Sequence, residues 1–543
     1  VAGAPGVLVS VAAHGAAPNG DDAGPGVKRA LAALPRIGGT LFFPPGRYHF
    51  RQHGGFAITL QDFERLTLDA TDATFLFERN TSPILMARCT APVLRGFTID
   101  FERPPFSQGD VLAVAPDGRS FDVRIDPEFP VDGTEPIQTL GTYDRAAVLN
   151  SRNGLDTYGI GKSSTLIGVQ TLRISTNYAL PRLKPGDVVV LRHNVYGNHS
   201  IVMNGCKSPR ISDVTIHAGG GMGVVGGQND QVLIERLRIL PTPGSHRLMS
   251  ICADGVHLGH STGTVTITDC LMAAMGDDCI NINNSYLRVA GRIDARTLIV
   301  SKYANQPFSP LEASMASTRV GFASGHTLAP IGEATISSSE VARDRETLHF
   351  QSDLPPDLQP GDVLSNLSSR ATLSVSRCNF PGNRARGILA HANATIQNCY
   401  FANQTSDAIL LAPDVSWLEG PEAAQVSIVD NKMIDVQRGG GGRGAIRITV
   451  AVPAGNSAGF VDHNIDISGN HIIGPGPALV ADHVRQLSFT DNRIERTDGP
   501  AVEFGPVRGV TLVRNVCTPA APVVIDSASR SEVKFESNQG LVR

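Results

Sequence analysis

The stretch from Ile467 to Asn538 carries one short phrase four times: Ile467-Ser468-Gly469-Asn470, Phe489-Thr490-Asp491-Asn492, Leu512-Val513-Arg514-Asn515 and Phe535-Glu536-Ser537-Asn538. The closing asparagines are separated by 22 residues (470 to 492), 23 (492 to 515) and 23 (515 to 538). Working toward the N-terminus, the phrase ends in Asn or Cys at Ile428-Val429-Asp430-Asn431, Ile396-Gln397-Asn398-Cys399, Val375-Ser376-Arg377-Cys378 and Ile267-Thr268-Asp269-Cys270. The step from 378 to 399 is 21 residues, and steps of 32 and 39 follow where loops intrude. A fixed period of this length is the mark of stacked coils. A β-sandwich would give turn signals every 8 to 12 residues and no such period. Each phrase therefore reads as one coil of a right-handed parallel β-helix in an all-β protein. Three short strands cannot bury their own inward face, but coils stacked about 4.8 Å apart give every backbone group a partner above and below. An Asn at the bend tolerates the left-handed conformation and can hydrogen-bond its counterpart in the next coil as a ladder.

An exposed β-helix end is a sheet edge and needs a cover. Val27, Ala30, Leu31 and Leu34 recur at helical spacing and predict a short amphipathic cap over the first coil. Two stretches interrupt the repeat, and both close on a similar phrase, Leu183-Lys184-Pro185-Gly186-Asp187-Val188 and Leu358-Gln359-Pro360-Gly361-Asp362-Val363. Loops this long without structure are uncommon, so two inserted small β-barrel subdomains are expected. The resulting division is 1–102 (cap and first coils), 103–195 (first insertion), 196–284 (site-bearing coils), 285–368 (second insertion) and 369–543 (C-terminal coils).

Composition excludes other classes. With 41% hydrophobic and 18% charged residues and a net charge of −4, the 543-residue chain has no bias toward polyanions, so no nucleic-acid partner is expected. No segment approaches the roughly 18 consecutive apolar residues of a membrane span. Eight cysteines are too sparse for a disulfide scaffold and form no CxxC pair; they read mostly as buried packing residues. The chain opens on Val1 with no leader left to read, which suggests an exported protein, periplasmic or secreted, whose signal peptide has been removed.

Aligning the coils on the strand after the bend gives a column of equivalent positions. It runs Asp254, Asp278, Arg386 and Asp407, and then only Gly444, Pro477 and Pro500. Asp254 and Asp278 are 24 residues apart, one coil, and Asp277 adds a third acid. Stacked carboxylates cost stability unless a ligand, a cation or a raised pKa relieves them. One carboxyl kept protonated as acid and another ionised as base is the division of labour that glycoside hydrolysis needs. A separation of about 6.5 to 9.5 Å between the two marks inversion, and about 5 to 5.5 Å retention.

Cys252-Ala253-Asp254-Gly255 followed by Gly276-Asp277-Asp278-Cys279 resembles the Asn-Thr-Asp-Gly and Gly-Asp-Asp-Cys motifs of the polygalacturonases, glycoside hydrolase family 28. That family's Gly-His-Gly and Arg-Ile-Lys motifs have no match here; Arg447-Ile448-Thr449 keeps two letters. A closer resemblance is to glycoside hydrolase family 110, the exo-acting α-1,3-galactosidases. It is carried by Asp254, Asp277-Asp278, Asn383-Arg384-Ala385-Arg386-Gly387-Ile388-Leu389 and Trp417-Leu418-Glu419-Gly420. The start of the chain, His14 to Asp22 and Phe43 to Tyr48, is similar to that of pectate-lyase-like β-helix proteins. What the family resemblance implies is inverting exo-hydrolysis of a terminal α-galactoside, with Asp277 as general acid and Asp254 with Asp278 holding the hydrolytic water.

Further substrate contacts are expected from Arg384, Arg386, Asp407, Trp417, Glu419 and His257, each also readable as a surface or packing residue. Trp417 is the chain's one indole available to a sugar face. No metal site and no cofactor are expected. The expected partner is a carbohydrate; the oligomeric state stays open, a homodimer being one option. Two other functions share the fold: a polysaccharide lyase or epimerase, which needs cations beside a uronate, and a non-enzymatic carbohydrate-binding helix, which needs no stacked acids.

Overall fold

The computed structural model describes residues 6–51, 55–78, 80–301, 317–342, 345–453, 459–496 and 498–543; Val1 lies outside them. Parallel ladders join each coil to the next along the chain. On the sheet that carries the site, Val224–Gly227 pairs with Val256–Gly259, then Ile280–Ser285, Ile388–Ala390, Ile409–Leu411, Ile446–Ile448, Leu479–Ala481 and Val502–Phe504. The parallel β-helix read from the period is the fold. Its inward residues form one continuous core in which aromatic rings also stack between coils: Phe50 on Phe77 at 4.9 Å and Phe75 on Phe97 at 5.0 Å between centroids. At the N-terminal end the helix Gly24–Ala33 buries Val27 and Ala30 against the first coils, with Leu31 partly covered and Leu34 buried just beyond it.

At the bends the expected roles divide between two residues. The left-handed conformation falls on the third residue of each phrase, with φ of 57° at Asp269, 54° at Asp430, 57° at Asp491 and 56° at Arg514; the asparagine that follows is not left-handed. The fourth residue makes the ladder. The side chain of Asn431 donates to Asn470 Oδ1 at 3.0 Å, Asn470 to Asn492 at 3.0 Å, Asn492 to Asn515 at 3.0 Å and Asn515 to Asn538 at 2.9 Å. Each of these oxygens also accepts the backbone N–H of the preceding rung. Cys270, Cys378 and Cys399 occupy the same position in the middle coils, where no amide ladder runs; all eight cysteines are buried free thiols.

The two insertions differ. The second, from Leu287–Asp294 to Val363–Asn366, is a closed six-stranded barrel. The first, from Phe106–Val114 to Val188–Arg192, is an eight-stranded antiparallel sheet that does not close, which corrects the expectation of two barrels. Its strand Gly161–Gly168 pairs on one side only, with Thr171–Thr176, is interrupted by register shifts and is largely exposed. The shared closing phrase has a shared structure. In both copies the glycine has a positive φ (89° at Gly186, 95° at Gly361), and the aspartate accepts the backbone N–H three residues before it, at 3.0 Å for Asp187 and 2.8 Å for Asp362. This turn launches the last strand of each insertion back to the β-helix. Among the described residues no helix is long and apolar enough to cross a membrane.

Candidate active site

Strand register aligns the charged column. Val256, Ile280, Ile388 and Ile409 are successive ladder partners, so Asp254, Asp278, Arg386 and Asp407, each two residues earlier, follow one another coil by coil. The residue after each is small because the chain turns a corner there: a Cβ on Gly255 would lie 2.5 Å from the carbonyl oxygen of Cys279 in the next coil.

Asp254, Asp277 and Asp278 converge, each offering a carboxylate oxygen within 4.8 Å of the others, and all three are buried. Among the described residues this is the one group of three that could hold a cation. Two guanidiniums already supply counter-charge. Arg386 Nη1 donates to both oxygens of Asp278 at 2.9 and 3.0 Å, and its backbone N–H adds a bond of 2.9 Å to Oδ1. Arg384 Nη1 donates to Asp277 Oδ1 at 2.8 Å. Asn383 anchors the loop that carries them, its side-chain amide donating to the carbonyls of Asp277, Arg384 and Arg386 at 2.6 to 2.9 Å.

The three environments are unequal. Burial pushes Asp278 up to about 7, with Asp277 and Asp254 adding to the rise and Arg386 opposing it. Burial also raises Asp254, against the pull of His257, whose Nδ1 lies 2.6 Å from Asp254 Oδ2. Asp277 goes the other way. Burial would raise it too, but Arg384, Arg386, Arg192 and the Tyr196 hydroxyl together bring it below the ordinary carboxylate value. Tyr196 donates to Asp277 Oδ2 at 2.9 Å, with Tyr158 3.4 Å away. Asp278 and Asp254 are therefore the members that hold a proton more readily and Asp277 the one that holds it least, the reverse of what a resting proton donor at Asp277 requires.

The other expected contacts sort as follows. His257 Nε2 meets the Asn283 amide at 3.1 Å, completing the chain Asp254–His257–Asn283. Trp417 is half exposed beside the cluster, with the Arg386 guanidinium 5.2 Å from its ring centroid. Its loop is held by Asp414, which accepts the backbone N–H groups of Ser416 and Trp417, and by antiparallel pairing of Ser285 and Asn284 with Glu419 and Gly420. Glu419 is nearly buried near His391, His257 and Arg386, which outweigh the effect of burial and keep its carboxyl below the usual value. Asp407 follows Arg386 in the column. Its carboxylate accepts the backbone N–H of Arg443 at 3.0 Å and of Gly444 at 3.2 Å, holding the glycine-rich loop.

Sequence reasoning missed the residues that the first insertion brings. Asp156 accepts from Arg384 Nε at 2.8 Å, and Tyr158 lies between Arg384 and Arg192, 4.9 and 5.1 Å from its ring centroid. Arg192, fully enclosed, donates to the carbonyls of Cys252 (2.8 Å) and Gly276 (2.7 Å), tying together the coils that carry the acids. A cavity of about 210 Å³ opens here, lined by Asn150, Asp156, Arg384, Arg386, Ser406 and Gly439 among others. The second insertion contributes indirectly: Tyr286, Leu328 and Val363 pack with Val415 and Leu418 and so support the Trp417 loop from behind.

No family model matches the chain. It is 25% identical over 468 residues to α-1,3-galactosidase B of Akkermansia muciniphila, covering 80% of this chain and 59% of that protein. It is 26% identical over 462 residues to α-1,3-galactosidase A of Shewanella woodyi, covering 78% and 75%. The chain thus spans less than two thirds of the length of the first of these relatives. Among solved structures, the catalytic unit of a thermostable family 87 α-1,3-glucanase from Streptomyces thermodiastaticus superposes with a TM-score of 0.46 at 12% identity, covering 99% of this chain and 70% of that one. The likeness to α-1,3-galactosidases carried by the acid motifs therefore extends over about four fifths of the chain.

Proposed function

We propose that the protein is an inverting exo-glycoside hydrolase that releases a terminal α-1,3-linked galactose and acts outside the cytoplasm, where such glycans occur. The observation that carries this reading is the three-aspartate cluster with its arginine partners, in a chain related to α-1,3-galactosidases. Asp254 and Asp278 are joined through the Asp278 N–H to Asp254 Oδ1, 3.2 Å, and together hold the hydrolytic water; Asp277, on the side facing Tyr158 and Tyr196, protonates the leaving oxygen. For that, one proton moves from Asp278 to its neighbour Asp277 when substrate draws Arg384 away from Asp277 Oδ1. The sugar's carbon–oxygen bond then breaks as water adds from the opposite face, and Asp254 with Asp278 takes the water's proton.

Oxygens within 4.8 Å of one another are closer than the spacing of a two-carboxylate inverting pair. With three carboxylates the water need not lie on the line between acid and base, so the two-residue rule does not transfer. Arg386, Trp417, Glu419 and His257 line the place of the sugar. The lyase reading is disfavoured because the site is built around three acids rather than around cations that would neutralise a uronate.

Proton NMR of the first product released from an α-1,3-galactosyl oligosaccharide tests the reading: β-galactose should appear alone, from the first minutes. Initial α-galactose would establish retention, early longer fragments an endo enzyme, and an unsaturated product a lyase. Asp277→Asn should be rescued by an aryl galactoside with an activated leaving group far more than Asp254→Asn or Asp278→Asn. Equal rescue would remove the assignment of roles.

A further inference from the structure

We infer that His391, together with Glu419, reads one hydroxyl of the bound sugar and is a specificity-determining residue; the inference rests on the glycosidase reading above. His391 follows the site strand Ile388–Ala390, three residues after Ile388, and its backbone N–H donates to Ile282 at 2.8 Å. Ile388 and Ala390 enter the core of the β-helix, which puts His391 on the opposite face with Leu389. Its side chain is almost wholly buried, yet neither ring nitrogen has a hydrogen-bond partner within the protein. Facing it is Glu419, whose Oε2 is also buried and makes no hydrogen bond, its nearest charged partner being the His391 ring itself. His391 Nε2 and Glu419 Oε2 are 3.6 Å apart, beyond hydrogen-bond distance.

Buried polar atoms in folded proteins nearly always have partners, and here three unpartnered ones belong to two facing side chains. A pair serving the fold alone gains most by closing to about 2.8 Å. Held 3.6 Å apart by separate strands, the two groups can share a single hydroxyl at ordinary hydrogen-bond distance from both. Glu419 then accepts the hydroxyl proton, and the His391 Nε2–H donates to its oxygen. The position belongs to the site: Glu419 is close enough to Asp254, His257 and Arg386 to bear on their ionisation, and the Trp417 loop presents it. The ligand class that fits is a neutral sugar with a hydroxyl directed at this corner.

The test pairs substrate deletion with side-chain change. The wild type, His391→Phe and His391→Gln are assayed for kcat/KM on an aryl α-galactoside and its 2-, 3-, 4- and 6-deoxy forms. One deoxy form should cost the wild type about 100-fold. In His391→Phe the penalty at that position alone should shrink to about 10-fold, while the others stay as they were. His391→Gln, which keeps a donor, should hold the wild-type pattern, and His391→Leu, smaller and without a donor, should give the same shrinkage and serves if the Phe variant fails to fold. Penalties that are unchanged at every position in the Phe or Leu variant would show that His391 reads no hydroxyl and overturn the inference. A wild type inactive on every galactoside would remove the glycosidase reading itself, before any variant is compared.

Discussion

Replacing Asp278 by Asn should flatten the protein's loss of thermal stability between acid and neutral pH. Asp278 is pushed up to about 7 in the folded protein, from an ordinary carboxyl value of 3.8. The sign follows from proton binding: between these values the folded state holds a proton that the unfolded chain has released, so stability falls as pH rises through the window and levels off above about 7. The full difference corresponds to ~4 kcal/mol. Roughly 3 kcal/mol of it is lost between about pH 5 and about pH 8. Unfolding entropy of roughly 2.1 cal/mol/K per residue, over a chain of 543 residues, converts this to a fall in Tm of about 2 to 3 °C. The amide is nearly isosteric with a protonated carboxyl, and its oxygen can still accept the Arg386 backbone N–H and Nη1, so the variant removes the titration and keeps the contacts. The assay is the Tm of both proteins across this range by differential scanning fluorimetry, read as the difference between two curves. Parallel curves would refute the reasoning, and flattening by Asp254→Asn or Asp277→Asn instead would put the proton on another acid of the cluster.

Three further outcomes are expected. Asn492→Ala removes four hydrogen bonds of a buried rung and orphans the Asn470 N–H, which should cost ~2 to 4 kcal/mol in denaturant unfolding, whereas Asn538→Ala at the half-buried last rung should cost less than about 1.5 kcal/mol; equal costs would mean that the ladder is not the cause. Arg384→Met should raise the pKa of Asp277 toward that of a buried, unpaired carboxyl, seen by carbon-13 NMR of labelled aspartate, and an unmoved titration would contradict the ion pair's role. Trp417→Ala, at a half-exposed position, should change stability by less than about 1 kcal/mol but raise KM for an aryl galactoside roughly tenfold with little change in kcat. A large stability loss would make Trp417 a packing residue instead.

The parts of the molecule that repeat were legible, and those that join two unrelated elements were not. One offset, two residues before the strand, locates Asp254, Asp278, Arg386 and Asp407 because the ladders keep register across coils. The same alignment could have found His391, which lies three residues beyond Ile388 as Asn283 lies three beyond Ile280. It could not have found Asp156, Tyr158 or Arg192: an insertion has no period by which to register it against the β-helix, and its side chains arrive through tertiary docking. Asp407 shows a second limit. Its column position is as predicted, but the loop from 439 to 444 presents two backbone N–H groups to its carboxylate, and a glycine-rich run gives no sign in sequence of which neighbour it will bind.

The charges at the cluster favour an uncharged substrate. Three carboxylates set at one bend are tolerable only with compensation. Here two guanidiniums contact Asp277 and Asp278, while burial and mutual repulsion keep a proton on Asp278 up to about neutral pH. The acids thus outnumber the guanidiniums that pair with them. A uronate entering such a site would add a fourth carboxylate to three and meet their repulsion. A neutral sugar brings hydroxyls that can accept from the arginines and donate to the carboxylates, so it can be bound without disturbing that balance. The same balance predicts where the pH limit of activity lies. Once Asp278 loses its proton there is none to pass to Asp277, so kcat/KM should fall as pH rises through about 7. Arg386→Lys, which gives up the two-oxygen contact but keeps the charge, should move that limb upward because Arg386 is the group that opposes the rise of Asp278. An alkaline limb that is absent, or that stays in place in this variant, would mean that the proton on Asp278 is not the one used in the reaction.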